Sequence, residues 1–127
     1  MAIVQSKLKV IGYWADPSTP NSPWPPVELF VDRSWTGTER DLIAEYLDAG
    51  RIVRGWMGFS ICRVCGIENG ANDLSDGTFV WPEGLGHYVR DHFVRLPDSF
   101  VTHATEETEA WDRAEYDNSW WLEQTAR

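Results

Sequence analysis

The chain has 127 residues, with 11 Lys and Arg against 20 Asp and Glu, and a formal net charge of −9. This length predicts one domain over residues 1–127, with a core large enough to fold without an obligatory metal. The negative charge opposes contact with phosphate backbones and anionic membranes, so we expect no nucleic-acid or membrane partner. A hydrophobic content of 43% with eight Trp excludes a disordered acidic tail.

The two cysteines, Cys62 and Cys65, are separated by only two residues. A disulfide between them would close a very small loop, whereas in a reducing compartment this spacing favours a metal or redox pair. The sequence also shows no long apolar stretch behind a basic start and no apolar run of the about 18 residues that span a bilayer. We therefore expect a cytoplasmic protein with reduced cysteines.

The N-terminal residues contain two strand patterns. Apolar and polar residues alternate over residues 7–14 and again over residues 27–31, which predicts two strands. Residues 15–26 contain five prolines, which cannot supply regular ladder donors. We expect an extended surface segment between the two strands.

A helix is predicted over about residues 39–49, where an apolar stripe follows first-turn acids. Thr38 supplies an N-cap hydroxyl, and Gly50 is expected to end the helix in the left-handed conformation. The next apolar run, residues 52–61, predicts a strand that leads the chain to Cys62.

The second half of the chain predicts a hairpin and further helices. Asp76 and Gly77 are typical of a tight hairpin turn. Pro82 is expected to open a helix, and a short helix is predicted between Pro97 and Val101. Together these elements predict an α+β fold in which a small antiparallel sheet packs against two or three helices.

The residues with the clearest chemistry form a possible zinc site. Cys62 and Cys65 have the spacing of a zinc knuckle, and Gly66 permits a positive φ angle in the turn. His87 and His92, with four residues between them, have a spacing found in zinc-binding helices. The four side chains predict a zinc ligand set, and zinc is the expected cofactor.

The ligand set has an alternative at the histidines. On a regular helix a five-residue spacing places the rings of His87 and His92 about 140° apart, so both reach one ion only if the last turn is distorted. His103 could replace either of them. Without a metal, Cys62 and Cys65 would be small buried residues, and the histidines would be ordinary core and surface residues.

A catalytic metal has one candidate base in the sequence, Glu83, which lies one turn before His87. Its alternative role is a favourable charge at a helix start. The chain shows no zinc-protease or zinc-deaminase motif, no Gly-rich phosphate loop and no nucleophile elbow. We therefore assign no catalytic residues and keep a metal-dependent hydrolase as an alternative function.

The central segment contains a series of short motifs: Cys62-Arg63-Val64-Cys65-Gly66, Asn69-Gly70, Leu74-Ser75-Asp76-Gly77-Thr78, Trp81-Pro82-Glu83-Gly84-Leu85, His87-Tyr88-Val89, His92 and Val94-Arg95-Leu96-Pro97. These motifs resemble a family of small uncharacterised bacterial proteins. The resemblance implies that about residues 55–103 form one unit, and it implies no catalytic residues. The order of knuckle, hairpin and helix in this unit also predicts a treble-clef or finger-like zinc element.

The C-terminal segment, residues 105–127, combines seven acidic residues with large apolar side chains. Those side chains are Trp111, Trp120, Trp121 and Leu122. They either pack on the protein's own sheet or form a surface for a protein partner or for self-association. The function predicted from the sequence is a non-enzymatic, zinc-stabilised protein-interaction module, with an inhibitor such as a toxin-immunity or phage counter-defence protein as an alternative.

Overall fold

The computed structural model describes residues 4–35 and 37–125, and these residues form an α+β fold, as predicted. The strands are β1 (Lys9–Val10), β2 (Arg51–Gly55), β3 (Asn72–Ser75) and β4 (Phe79–Pro82). The α-helices are α1 (Thr38–Asp48), α2 (Leu85–His92), α3 (Asp98–Arg113) and α4 (Ser119–Thr125). Four helices over the described residues exceed the predicted two or three, because the C-terminal part contributes two of them.

The strands form a mixed sheet in the order β1-β4-β3-β2. β3 pairs antiparallel with β2 and with β4, whereas β1 pairs parallel with β4. The prediction of a purely antiparallel sheet was therefore wrong at β1. A parallel pair needs a long crossover connection, and the chain between β1 and β4 supplies one.

The hairpin between β3 and β4 is confirmed. Asp76 accepts the backbone N–H groups of Thr78 at 3.0 Å and of Phe79 at 2.8 Å, and Gly77 has a φ of +96°. These are the bonds of a tight turn built on an Asp side chain and a left-handed glycine. The turn fixes the register of the two strands that precede α2.

The core lies between the sheet, α1, α2 and α3. Its buried side chains include Ile43, Leu47, Leu74, Trp81, Leu85, Val89, Phe100 and Ala104. The indole N–H of Trp81 donates to the carbonyl of Leu47 at 3.1 Å. A large aromatic ring is thus buried at the centre of the molecule with its polar atom satisfied.

Gly50 follows α1 but does not adopt the predicted left-handed conformation. The helix ends at Asp48, and Gly50 is absent from the residues with positive φ. A Cβ atom at Gly50 would lie 2.7 Å from the Trp81 ring and 2.9 Å from the Cβ of Leu74. Glycine is required here by close packing instead of by helix termination.

The strands predicted in the N-terminal part are only partly present. Over residues 7–14 only β1 is a strand, and a 3-10 helix, Val27–Phe30, replaces the strand predicted over 27–31. Gly12 has a φ of +77°, and a Cβ there would lie 2.5 Å from a methyl of Leu85. The chain therefore turns at Gly12 and leaves the sheet.

Two further boundaries differ from the sequence predictions. The strand predicted over residues 52–61 ends at Gly55, and the chain continues as a loop to the cysteines. Pro82 ends β4, where it pairs with Asp73, and α2 begins three residues later at Leu85. Proline has no N–H to donate to a neighbouring strand, but at the end of a strand that donor is not needed. This position therefore suits proline as well as a helix start does.

The C-terminal part is helical and exposed. α3 is longer than the predicted short helix, and α4 buries none of its residues. Trp111, Trp120, Trp121 and Leu122 are 60–68% exposed. The interpretation that these side chains pack on the protein's own sheet was therefore wrong. Among the described residues, none of the helices has the length and apolar character to cross a membrane.

Candidate metal centre

Cys62 and Cys65 lie in a short hairpin, residues 60–70, which we call the knuckle hairpin. Ser60 and Gly70 pair at its base through a 2.9 Å backbone hydrogen bond. At the tip, the N–H of Gly66 donates to the carbonyl of Cys62 at 3.0 Å. Gly66 has a φ of +77°, which agrees with the positive φ expected from the sequence.

The two thiols differ in environment. Cys62 is buried, whereas Cys65 is exposed, and neither forms a disulfide. The Sγ of Cys62 faces the backbone N–H groups of Val64 at 3.4 Å and of Cys65 at 3.5 Å. These contacts hold the Sγ of Cys62 at the tip of the hairpin, on the same turn as the Sγ of Cys65.

The last turn of α2 has the distortion that the histidine spacing requires. The backbone N–H of Phe93 donates to the carbonyl of Tyr88, five residues back, and Phe93 lies in the left-handed region. The wider turn places His87 and His92 on the same side of the helix, with ring centroids 4.8 Å apart. The predicted pairing of these two histidines is therefore geometrically possible.

The four predicted ligand residues converge. The Nε2 atoms of His87 and His92 are 3.2 Å apart, and the Nε2 of His87 is 3.4 Å from the Sγ of Cys65. The four donor atoms, including the Sγ of Cys62, all lie within 4.8 Å of one another. Tetrahedral zinc would separate two nitrogens by about 3.4 Å and a nitrogen and a sulfur by about 3.6 Å. These side chains lie close enough to hold a metal ion, and their donor types are compatible with zinc.

Asp91 orients one of the histidines. Its carboxylate lies 2.8 Å from the Nδ1 of His87. Metal-binding histidines commonly donate their other ring N–H to a carboxylate, and this contact leaves Nε2 facing the Sγ of Cys65. Sequence reasoning missed Asp91, although its position four residues after His87 on a helix is a signal that could have identified it.

The environment of His92 keeps its imidazole in the form that can bind a metal. Burial, and beside it the neighbouring His87, lowers the pKa of His92. A histidine with a lowered pKa is neutral near pH 7. The ring therefore needs to release no proton before it coordinates an ion.

A second contact joins α2 to the knuckle hairpin. The hydroxyl of Tyr88 accepts the backbone N–H of Arg63 at 2.8 Å. Burial raises the pKa of Tyr88 to about 12, although the Arg63 N–H opposes this change. The phenol thus stays protonated and holds the hairpin against α2.

His103, the alternative ligand, lies elsewhere in the structure. Its Nε2 is 2.9 Å from the carboxylate of Asp76, and its ring packs on Phe79 with the centroids 5.1 Å apart. It belongs to the interface between α3 and the β3–β4 turn. Among the described residues, the group that converges on one point contains Cys62, Cys65, His87 and His92 without His103.

Glu83, the candidate base, is engaged with the backbone. One of its carboxylate oxygens accepts the N–H of Ala71 at 2.9 Å and both the N–H and the side-chain amide of Asn72 at 3.2 Å. These bonds connect the residue before Gly84 to the start of β3. The carboxylate therefore has a structural role that the sequence did not suggest.

Comparisons with protein-family models, with curated proteins and with solved structures gave no match for this chain. Function has to be inferred from the metal centre and the exposed surfaces. The centre offers two sulfur and two nitrogen donors, and the described surface offers clusters of exposed aromatic side chains.

Proposed function

We propose that this protein is a non-enzymatic interaction module stabilised by one structural zinc ion. Cys62, Cys65, His87 and His92 would bind the ion and join the knuckle hairpin to α2. The observation that carries the proposal is the convergence of the four donor atoms within 4.8 Å. Two thiolates and two imidazoles match the preference of zinc for four-coordinate sulfur and nitrogen sites.

We call residues 56–70, the knuckle hairpin with the residues before it, the knuckle region. A metal would stabilise this region, which apolar packing does not. Met57, Phe59, Val64 and Ile67 are each half-exposed or more, and in the knuckle hairpin Cys62 is the buried apolar residue. Side chains that stay in water contribute little of the usual free energy of burial. Coordination by residues from two elements would hold the hairpin in place.

The donor set favours a structural metal over a catalytic one. A catalytic zinc usually has three protein ligands and an open position for water, whereas four donors close the tetrahedron. Glu83 already accepts three hydrogen bonds, so its carboxylate is committed to the backbone of β3. The alternative of a metal-dependent hydrolase therefore has less support.

The order of elements supports a treble-clef or finger-like zinc element. The knuckle hairpin is followed by the β3–β4 hairpin and then by α2, which carries the two histidines. In such an element the ion joins a knuckle to the start or end of a helix. Reduced cysteines and a thiolate site suit the reducing cytoplasm, which we propose as the location.

The proposed partner surface is the exposed C-terminal part, α4 and the end of α3. It carries Trp111, Trp120 and Trp121 at 65–68% exposure, with acidic side chains between them. Trp is enriched at binding hot spots, and carboxylates would favour a basic protein partner or a basic face of a second copy. An inhibitor of a basic protein, such as a toxin-immunity or phage counter-defence protein, would present the same kind of surface.

Metal analysis tests the zinc proposal. Protein purified without a His-tag is expected to contain about one zinc per chain, and His92→Gln to contain much less, because three ligands hold zinc far more weakly than four. His103→Gln is the matched control, since it removes a histidine outside the group and should keep its zinc. Less than about a tenth of an equivalent of metal in the parent protein would contradict the proposal.

Deletion of residues 114–127 tests the partner surface. The shortened chain should unfold with nearly the same free energy, because α4 buries no side chain. It should also lose self-association in sedimentation, or lose binding to a basic partner in a pull-down. A shortened chain that keeps both properties would place the interaction on another surface.

A further inference from the structure

A cleft of about 580 Å³ lies between the Pro-rich segment and the chain that leads to the knuckle hairpin. One side carries Tyr13 and Trp24, whose ring centroids are 5.5 Å apart, and the other carries Trp56 and Phe59. Asp73 of β3 also lines it. Pockets of a few hundred cubic ångströms with aromatic walls and a few polar groups are typical of ligand sites.

Asp73 is a buried carboxylate whose charge is only partly compensated. The residue is 7% exposed, and the hydroxyl of Tyr13 donates to one of its oxygens. Burial, followed by this bond, raises the pKa of Tyr13, so the phenol remains a donor. Within residues 4–35 and 37–125 the Asp73 side chain has neither an ion pair nor another hydrogen bond. A carboxylate in such a place gains strongly from a cation.

Arg54 is the nearest candidate for that cation, but its guanidinium is directed elsewhere. Arg54 lies opposite Asp73 in the β2–β3 register. Its Cζ stands over the ring of Trp56, 5.4 Å from the centroid. Trp56 thus already contacts one guanidinium, from a residue outside the cleft lining, while Asp73 stays without an ion pair among the described residues.

A second buried polar group lines the same cleft. Trp14 is 7% exposed, and its indole N–H has no hydrogen-bond acceptor among the described residues. This N–H is itself inaccessible to solvent, so a ligand in the cleft would contact other atoms of the Trp14 side chain. The polar group that the cleft offers to a ligand is therefore the carboxylate of Asp73, an acceptor for a cation.

We propose that this cleft binds the side chain of a lysine or arginine in a basic segment of a partner protein. The cation would pair with Asp73 between the aromatic walls, and the alkyl part of the side chain would pack on their rings. A net charge of −9 would speed the approach of such a segment. The cleft lies apart from α4, but Ser60, Arg63 and Asn69 of the knuckle hairpin line it, so its geometry rests on the proposed zinc site. The test below therefore uses protein of measured zinc content, so that a failure to bind peptide in zinc-loaded protein counts against the cleft alone.

The charges of the cleft lining favour a cation over the other ligand classes, with Arg54 beside Asp73 and Trp56 but outside that lining. Its lining contains Asp16 and Asp73 against one basic residue, Arg63, whose guanidinium donates to the carbonyl of Ile61 at 2.7 Å. An anion would face the buried carboxylate, and a neutral apolar group would leave that carboxylate without a counter-charge. A cation is the ligand that improves both the electrostatics and the aromatic contacts.

Titration of the full chain with short peptides tests the site, with the tryptophan indole N–H signals followed by nuclear magnetic resonance. The probe is acetyl-Gly-Gly-Lys-Gly-Gly-amide, with an arginine version beside it. The matched control replaces the lysine with norleucine, which keeps the alkyl chain and removes the charge. The cationic peptides should shift the signals of Trp14, Trp24 and Trp56, and the norleucine peptide should bind at least about tenfold more weakly.

Variants separate the site from general electrostatics. Asp73→Asn should weaken peptide binding about tenfold or more, and Trp56→Ala about threefold. Glu115→Gln changes the net charge equally on an exposed residue outside the lining and should leave binding unchanged. If Asp73→Asn fails to fold, peptide binding is measured with Trp56 or Phe59 replaced by Ala. Both side chains are exposed, so their replacement should not affect folding.

Three results would overturn the proposal. The first is equal binding of the norleucine and lysine peptides, which would mean an apolar cleft without cation selectivity. The second is tetramethylammonium binding as tightly as the peptides, which would assign the site to free small cations. The third is the absence of any indole shift at about 10 mM peptide, a concentration that detects even millimolar affinity.

Discussion

The core and the knuckle region are built on different stabilising interactions. In the core, Trp81 and Phe100 are almost fully buried and pack edge to face with ring centroids 6.0 Å apart. In the knuckle region, Phe59 and Ile67 remain exposed, and the close contacts are those among the Cys and His donor atoms. One region excludes water from apolar side chains, and the other brings polar donors to one point.

The two regions should therefore respond to different perturbations. Loss of buried apolar volume should unfold the core whatever the metal content, because packing energy does not depend on an ion. Loss of the metal should release the knuckle hairpin first, because little apolar burial remains to hold it. If loss of the metal also unfolded the core, the two regions would form one cooperative unit.

The largest effect is expected from Trp81→Ala. Removing this fully buried ring leaves a cavity and the Leu47 carbonyl without its donor, which should cost about 3–5 kcal/mol of unfolding free energy. Urea unfolding measures the change, and it should be the same with and without a chelator. Trp121→Ala is the matched control, because that ring is 65% exposed and its loss should change the free energy by less than about 0.5 kcal/mol.

Metal removal should have the next largest effect. At a free zinc concentration about 100-fold above the dissociation constant, the proposed binding would stabilise the folded chain by about 2.7 kcal/mol, and a chelator should remove this contribution. Hydrogen exchange should accelerate first at the amides of Cys62, Gly66 and Asn69, which are bonded within the knuckle hairpin. Uniform acceleration over the hairpin and α3 would contradict independent regions.

Asp91→Asn should weaken the metal centre without removing a ligand. The carboxylate orients His87, and loss of such a partner usually lowers metal affinity about 10- to 100-fold. Competition with a chromophoric chelator measures the affinity. Asp48→Asn is the control, because it breaks an exposed ion pair between α1 and Arg90, the residue before Asp91 on α2, and should leave zinc binding unchanged.

The smallest effect is expected at Asp76, whose carboxyl should make the unfolding free energy depend on pH in the acid range. Burial would raise the pKa of its carboxyl, but the N–H groups of Phe79 and Thr78, the Tyr46 hydroxyl and His103 together lower it. A carboxyl with a lowered folded pKa adds stability above its unfolded pKa of about 4, and this is lost as the pH falls through the folded pKa. Asp76→Asn should lose about 1.5 kcal/mol at pH 7 and show a flatter acid limb in urea titrations.

Features set by neighbouring residues in the chain could be predicted from the sequence. The hairpin at Asp76 and the knuckle turn at Gly66 depend on side-chain caps and positive φ angles within a few residues. The grouping of Cys62 with His92 could also be predicted, because zinc ligand spacings constrain the fold between them. The spacing of the two histidines also predicted a distorted last turn in α2, and the turn at Phe93 is widened.

Features set by distant residues could not be predicted. Gly12 and Gly50 are required because Leu85 and Trp81 come close to them, and these contacts join residues far apart in the chain. The residues after Pro26 alternate like a strand, yet their N–H groups bond within a 3-10 turn. The engagement of Glu83 with Ala71 and of His103 with Asp76 depends in the same way on how the hairpin docks against the helices.

The parallel pairing of β1 with β4 sets an order of assembly during synthesis. Lys9 pairs with Phe79, so the first strand has no strand partner until most of the chain has left the ribosome. Contacts over such long sequence separations close slowly, because the intervening loop loses entropy before the contact forms. The β3–β4 hairpin and the helix after it can form from residues that are close in the chain. The N-terminal strand can pair only after β4 is in place.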